Sequence, residues 1–497
     1  MFDDETKPVW WLPSFGFFLF AGIVLWMFFV PSRLFEDPGV GRHLRTAQFI
    51  LENGSVPRTD PLSFTHHGER WMDFEWGFEA TIGVLTRVGG LGLVAAFCAA
   101  LFGATLLGLY RTLLHSSLGL VPSVIYTGLA FLTLQLHFEA RPVLFTYLFM
   151  ALVVEVWHRR TQPLKRDWII LPIVFIAWAN LHAGWLAALV FLGAAMVGRF
   201  FDRLSGRVDG LEAPLIPWLG LTLLCTVATS FNPWGWALHR QIFLFATSYK
   251  SFALWDEYLP PNFAGPSMSA VTVLALLAII IGARVSRRAL AWRWETFLPV
   301  FFFLYQGLKA QRHVLLLVEV AAVPVARDLG TLLYGTWLPF VVERLRQFQA
   351  RQRLAGGDAW LALVFALGMA FLFMRPGVAQ HIQVGGTSPD LITFLREHPD
   401  RFHRPLTTTW NAGPLLWNLA PDFRVSFDDR GDFYGDETVF AFNDLTRATP
   451  GWREKFASGR YDSAILDSYL PLVERLPELP GWKEVFRDKA TVVFWKD

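Results

Sequence analysis

Apolar runs long enough, or nearly long enough, to cross the ~30 Å hydrocarbon core of a bilayer recur along three quarters of this chain. They lie near Leu12–Val30, Leu91–Leu113, Leu118–Leu136, Val143–Trp157, Trp168–Ala179, Trp185–Val197, Pro214–Ser230, Met268–Ala283, Thr296–Leu308, Val314–Val325 and Trp360–Met374. Few folds accept such a chain, because a backbone in lipid must satisfy its own polar groups and a helix does so within one segment. The expected fold is therefore mainly α, a polytopic transmembrane helical bundle of about 11 spans with its ends on opposite sides of the membrane. Composition agrees: 17% of residues are charged, against about a quarter in soluble domains. That excludes an ordinary cytoplasmic enzyme. A net charge of +2, with no basic and aromatic stripe, also leaves nucleic acid without an electrostatic footprint. Cys98 and Cys225 sit inside apolar runs and frame neither a disulfide nor a zinc site.

Loops rich in Arg and Lys mark the cytoplasmic side. Arg159, Arg160, Lys165 and Arg166 share one loop, and Arg199, Arg203 and Arg207 lie on the next of that side. Arg284, Arg287, Arg288 and Arg293 follow, then Arg327, Arg344, Arg346, Arg351 and Arg353. The loop after the first span carries Arg33, Arg42, Arg45, Arg58 and Arg70 and breaks the rule locally. It is placed outside because every later span then alternates consistently. Met1 to Lys7 lacks a basic n-region, so the first span reads as an uncleaved anchor with a cytoplasmic N-terminus, and Trp10 and Trp11 suit an interfacial belt. Leu338 to Arg353 fits a helix on the anionic inner leaflet or an ordinary solvated helix.

Residues 1–374 thus form a membrane domain, with residues 31–76 its first outer loop. Residues 375–497 read as a small α/β domain outside the membrane. Within it, Ser388–Glu397 fits an amphipathic helix. Strand-like runs fall at Pro405–Thr409, Phe423–Phe427, Tyr461–Leu466 and Val485–Phe494, the last a hairpin turned at Asp488-Lys489.

Ionisable residues are costly in lipid, so their placement carries information. Here they gather at the outer ends of spans. The first outer loop holds Glu36-Asp37-Pro38-Gly39, His43, Asp60, His66-His67, Asp73 and Glu75, and later apices add His137, Glu139, Arg141, Asn180, His182, Asp256, Glu257, Lys309, Arg312 and His313. A helix from Val40 to Leu51 lying on the membrane, ended by Gly54 and Pro57, would hold Asp37 where lipid meets water. An isolated Asp-Pro is an ordinary turn or cap; beside this loop Asp37 reads as functional. His66, His67, Asp60 and Asp73 match no recurring metal spacing. Arg141 and Arg312 either snorkel or bind phosphate, and their place on the cation-poor side favours phosphate. Asn180-Leu181-His182-Ala183-Gly184 is a tight turn or part of the site, while Asp428, Asp429, Asp432, Asp436 and Glu437 read as a solvated acidic face. Gly89-Gly90-Leu91-Gly92 lacks the lysine and strand of a phosphate loop.

These residues resemble a known family. An acid just past the first span, a long outer loop with surface helices, many spans and a C-terminal outer domain look like the polytopic GT-C glycosyltransferases. Asp37-Pro38-Gly39 through His43-Leu44, Pro57-Arg58-Thr59-Asp60-Pro61 through Thr65, and Glu75-Trp76 resemble the first loop of a group of bacterial GT-C-like membrane proteins with a periplasmic α/β domain. Arg141-Pro142, Asn180 through Gly184, Asn232-Pro233-Trp234-Gly235 and Asp429-Arg430-Gly431 through Gly435 fit the same group. The resemblance implies an inverting enzyme of the bacterial inner membrane. It would move a sugar from a polyprenyl-phosphate-linked donor to a lipid, glycan or protein acceptor on the outer face. Asp37 maps onto the catalytic acid, with Asp60, Asp73 and Glu75 as further acids. Arg141, Arg312 and His313 would meet the donor phosphate, and His43, His66, His67, Asn180 and His182 complete the candidate set. Some GT-C members use a divalent cation, and no ligand set for one is matched here. Two rivals stand beside this reading: a transporter or flippase of a lipid-linked substrate, and a membrane assembly protein with a degenerate site. A transporter favours midplane polar groups and paired repeats; neither is visible.

Overall fold

The computed structural model describes residues 9–116, 119–206, 214–286, 292–335, 339–379, 382–385 and 387–497. Met1 to Lys7, Arg207, Arg287 and Arg288 lie outside the described residues. The chain runs through α1 (Phe15–Phe29), α2 (Pro38–Asn53), α3 (Trp76–His115), α4 (Leu120–Leu134), α5 (Val143–Arg159), α6 (Asp167–Leu181), α7 (Trp185–Leu204) and α8 (Leu215–Ala228). It continues with α9 (Ala237–Thr247), α10 (Met268–Val285), α11 (Trp294–Lys309), α12 (Val314–Val320), α13 (Ala322–Tyr334), α14 (Pro339–Arg353), α15 (Asp358–Phe373) and α16 (Pro376–Ala379). Among the described residues Trp76–Leu114, Trp185–Leu204 and Met268–Val285 are long and apolar enough to cross a membrane, and α1, α4, α6, α8 and α15 are shorter apolar helices.

The helix that follows the first outer loop starts earlier than expected. α3 begins at Trp76, not near Leu91, and is broken at Gly89 and Gly90, where Gly90 has φ +64°. A side chain at Gly92 would run into the Phe373 carbonyl, and one at Gly89 would meet Met374. The glycine run is therefore a packing site for the end of α15. The Val314–Val325 run becomes two helices, α12 and α13, parted at Ala321.

Many ion pairs lie at helix ends, whereas Glu319 is buried within α12. At the end expected to be cytoplasmic, Asp358 accepts from the Ser14 amide at 2.6 Å and ties α15 to α1. Nearby in depth, Arg160 pairs with Asp167 at 3.6 Å, Arg199 with Glu295 at 2.8 Å and Arg284 with Asp328 at 3.3 Å. Between the two ends, large apolar side chains such as Ile216, Leu223, Val271, Leu367 and Phe371 point outward, a surface suited to lipid. Both native cysteines are buried, which gives a clean background for labelling. In whole cells an impermeant thiol reagent is expected to label Ser458→Cys and spare Lys165→Cys; the reverse pattern would invert the orientation.

All strands of the described residues lie in the C-terminal part, in one sheet of order β1 (Pro405–Thr407), β2 (Ser463–Asp467), β4 (Thr491–Lys496), β3 (Trp482–Arg487). β1 and β2 are parallel, and β4 runs antiparallel to both β2 and β3. Helices α17 (Pro389–Glu397), α18 (Thr409–Asn418), α19 (Gly431–Thr446), α20 (Trp452–Ser458) and α21 (Pro471–Arg475) accompany it. Every residue of β2 is buried, as expected for a strand covered on both faces. The expected strand at Phe423–Phe427 does not join the sheet. Instead Val425 pairs with the first outer loop: its amide donates to the Leu62 carbonyl at 3.1 Å, and its carbonyl accepts from the Phe64 amide at 2.9 Å. Leu62, Ala412, Leu416 and Val425 form an apolar cluster under this bridge. α18 packs on α2 with backbone in contact, since a side chain at Gly41 or Gly413 would strike the other helix. The C-terminal part is thereby seated on the first outer loop.

Candidate functional site

Asp37 stands at the exit of α1, after the short helical turn Pro31–Phe35. Pro38 starts α2 with its φ preset, and the Asp37 carboxylate caps that helix by accepting from the Gly39 amide at 2.9 Å. One oxygen is spent on the cap. The other faces the Arg141 guanidinium at 3.5 Å. Cap and site are thus the same side chain. Gly39 is needed here because a β-carbon would lie 2.6 Å from Asp429 Oδ2 and 2.9 Å from Asp37 Oδ1. Burial pushes the Asp37 carboxyl above its ordinary value, Arg141 opposes the rise, and the negative Asp429 and Glu257 add to it.

Arg141 ends the turn between α4 and α5 and also pairs with Glu139 at 3.6 Å and Glu257 at 3.8 Å. Glu257 lies in the outer segment between α9 and α10 and receives Arg312 at 3.1 Å on its other oxygen. The Arg312 guanidinium also covers the Tyr258 ring, 4.4 Å from its centroid. Burial would raise the Glu257 carboxyl, but Arg312 and Arg141 outweigh it and hold it below its usual value. Burial, reinforced by Asp37, pushes Glu139 up to about 7 despite Arg141. Asp37, Arg141, Glu257 and Arg312 all keep part of their side chains exposed. They form one partly exposed cluster of alternating charge.

A second cation stands beside it. Arg42 on α2 is buried and donates from Nε to Asp429 Oδ1 at 2.7 Å, from Nη1 to Glu79 at 3.2 Å, and lies 3.6 Å from Glu75. Burial alone would raise Asp429, yet Arg42 prevails and keeps its carboxyl below the ordinary range. Burial and the charge of Arg42 drive His43 well below its usual value. A neutral ring settles its tautomer: Nδ1–H donates to Glu79 at 2.9 Å and Nε2 accepts from Arg42 at 3.0 Å. Glu75 is pushed by burial up to about 7 against the pull of Arg42 and Arg141. Its other neighbour is His182, 3.9 Å away, whose ring burial holds neutral with a value of about 3. The Trp178 indole donates to Thr146 at 2.9 Å, Thr146 meets His182 Nδ1 at 2.7 Å, and the Gly184 amide donates to the same nitrogen at 3.1 Å. His182 therefore turns Nε2–H toward Glu75.

Of the residues expected from sequence, the structure brings Asp37, Glu75, Arg141, Arg312, His43 and His182 to one region. Asp60 lies apart: buried, it accepts from the Leu62 and Ser63 amides and pairs with Arg430 at 2.8 Å. Asp73 is buried and accepts from the Glu75 amide at 3.2 Å, a turn that orients Glu75. The His66 ring packs on Phe433 and Tyr434, His67 is exposed, and Asn180 receives the Trp76 indole at 3.0 Å. His313 turns Nδ1 toward the Gln306 carbonyl at 3.4 Å, and burial with Arg312 lowers it to about 4, so it adds no positive charge near neutrality. Among the described residues no group of three or more His, Cys, Asp or Glu is arranged to hold a metal ion.

Of the acidic run of the C-terminal part, Glu437 is exposed as expected of a solvated face, while others turn inward. Asp428 is buried against Arg430 at 2.6 Å, Asp429 enters the site, and Asp436 accepts from the Lys250 and Ser251 amides. Sequence reasoning missed Asp429 and the role of Arg42 as its partner. The available signal was Phe427 followed by a paired acid and Arg-Gly, an apolar residue leading straight into charge.

No protein-family model matches the sequence, and no curated protein matches it. Solved structures do share its fold. The crystal structure of the Archaeoglobus fulgidus oligosaccharyltransferase in the apo form is similar with a TM-score of 0.56 and 12% identity, over 91% of this chain and 69% of that one. The archaeal oligosaccharyltransferase AglB from Archaeoglobus fulgidus, in complex with an inhibitory peptide and a dolichol-phosphate, gives a TM-score of 0.51 at 11% identity, over 93% of this chain and 66% of that one. The chain shares the fold of these oligosaccharyltransferases and spans about two thirds of their length.

Proposed function

We propose that this chain is a GT-C-type membrane glycosyltransferase that takes a sugar from a polyprenyl-phosphate-linked donor and transfers it at the outer face of the membrane. The observation that carries the proposal is the Asp37 carboxylate just past α1, facing Arg141 at 3.5 Å, with Arg312 linked to Arg141 through Glu257. A lipid-linked donor brings its phosphate to headgroup depth, where two guanidinium forks can receive it with charge-assisted hydrogen bonds. Asp37 takes the proton of the acceptor as its nucleophilic atom bonds to the anomeric carbon and the bond to the phosphate oxygen breaks. A carboxyl raised by burial is a stronger base than a solvated one, and the cations meet the charge developing on the leaving phosphate. Attack opposite the leaving group inverts the anomeric centre. The similarity of fold to oligosaccharyltransferases supports this reading as analogy, and the site carries the chemistry.

The donor-binding half is tested on Arg312. Arg312→Lys keeps the charge and loses the fork, and Arg312→Ala loses both, so affinity for a polyprenyl-phosphate analogue is expected to fall roughly 10- to 100-fold in the alanine variant and less in the lysine variant. Calorimetric titration in detergent reads this directly. Unchanged affinity in both would make Arg312 an interfacial anchor.

A further inference from the structure

We propose that Arg141 is itself the resident cation of this site, filling the place among Asp37, Glu139 and Glu257 that a divalent ion would take. The inference deepens the glycosyltransferase reading, and only its catalytic consequence rests on that reading. A single nitrogen, Nη1, lies 3.5 Å from Asp37 Oδ2, 3.6 Å from Glu139 Oε2 and 3.8 Å from Glu257 Oε2. Three carboxyl groups from separate stretches of the chain lie within 4 Å of one nitrogen, and a cation among them offsets their mutual repulsion. Hard divalent ions bind such oxygen sets at about 2.0–2.6 Å, so the three side chains, spaced as they are around Arg141, are not arranged for a metal and would have to move inward by roughly 1–1.5 Å to take one. With the guanidinium present that space is taken.

The backbone keeps it there. The Ala140 amide donates to the Leu34 carbonyl at 2.7 Å, which ties the turn to the short helical turn Pro31–Phe35 that follows α1. The Arg141 amide donates to the Glu139 carbonyl at 2.8 Å, and its own carbonyl accepts from Leu144 as α5 begins. The side chain thus starts from a pinned turn and ends among three acids. Unlike a bound ion, a guanidinium neither dissociates nor titrates in the physiological range. Glu139 and Glu257 therefore serve to hold Arg141 in place for the donor phosphate, opposite Asp37.

Manganese binding to the full-length protein in detergent, followed by electron paramagnetic resonance, tests the proposal without any assay of sugar transfer. A failure here would therefore leave the transfer reaction to its own test. Wild-type protein is expected to show no Mn²⁺ site that depends on Asp37, and Arg141→Lys none either, because a cation remains. Arg141→Gln is expected to gain one Mn²⁺ per chain, with an affinity on the order of 0.1–1 mM, and to lose it again in Asp37→Asn/Arg141→Gln. Arg141→Ser removes the same charge with less bulk and serves where the glutamine variant does not fold. An Asp37-dependent Mn²⁺ site in the wild type would overturn the proposal. So would the absence of any gain in a neutral variant whose melting curve shows it to be folded.

Discussion

Asp37→Asn is expected to lower sugar transfer by about 10²–10⁴-fold, the usual cost of losing a general base, while the fold stays intact. The amide is isosteric and Asn is as good a helix cap as Asp, so its oxygen can still accept from the Gly39 amide that Asp37 holds at 2.9 Å. What disappears is the carboxylate opposite Arg141, and with it the acceptor of a proton. Melting temperature should change little, which separates this variant from one that merely unfolds. Wild-type turnover in a folded Asp37→Asn protein would remove Asp37 from the reaction. The role would then pass to Glu75, the partly exposed acid beside Arg42 and His182.

The second large effect is on stability. Arg42→Met is expected to destabilise the protein by about 3–5 kcal/mol, because it strips the partner from carboxylates that remain buried. Arg42 joins α2 to Glu79 on α3 and to Asp429 of the C-terminal part, so its loss strikes the seam between the first outer loop and that part. A lowered melting midpoint and faster proteolysis between residues 375 and 431 are the expected readouts. Arg42→Met/Asp429→Asn should recover part of the loss, since one of the orphaned charges is then gone. A melting curve like that of the wild type for Arg42→Met would show that Asp429 is held by other means.

Local physics explains what could be read in advance. Apolar runs must become helices in lipid, and Asp37, Arg141 and Arg312 stand at the ends of such runs, so a cluster of charge at one end of the bundle was legible from hydropathy and charge alone. Its completion was not. Arg42 and Asp429 meet across 387 positions of sequence, and no periodicity encodes a pairing of that range. The Phe423–Phe427 run has the alternation of a strand, yet its one backbone bridge goes to Ser63 in the first outer loop. A local pattern states that a segment is extended, and leaves its partner to tertiary packing. Asp428 and Asp429 after Phe427 depart from expectation for the same reason: a charged stretch is solvated by default, and the guanidinia of Arg430 and Arg42, from the next turn and from elsewhere in the fold, make their inward position tolerable. Gly41 and Gly413 likewise look like helix-weakening residues in the sequence and prove to be the contact that lets α18 reach α2.

The most direct test of the account is to supply proteoliposomes containing the purified chain with a radiolabelled polyprenyl-phosphate-linked sugar and an envelope fraction as the source of acceptor. The account predicts that label leaves the lipid carrier for an acceptor on the outer face, that polyprenyl phosphate accumulates, and that Asp37→Asn does neither. Labelled donor that crosses the bilayer unchanged, or that binds through Arg312 and is never cleaved, would contradict it.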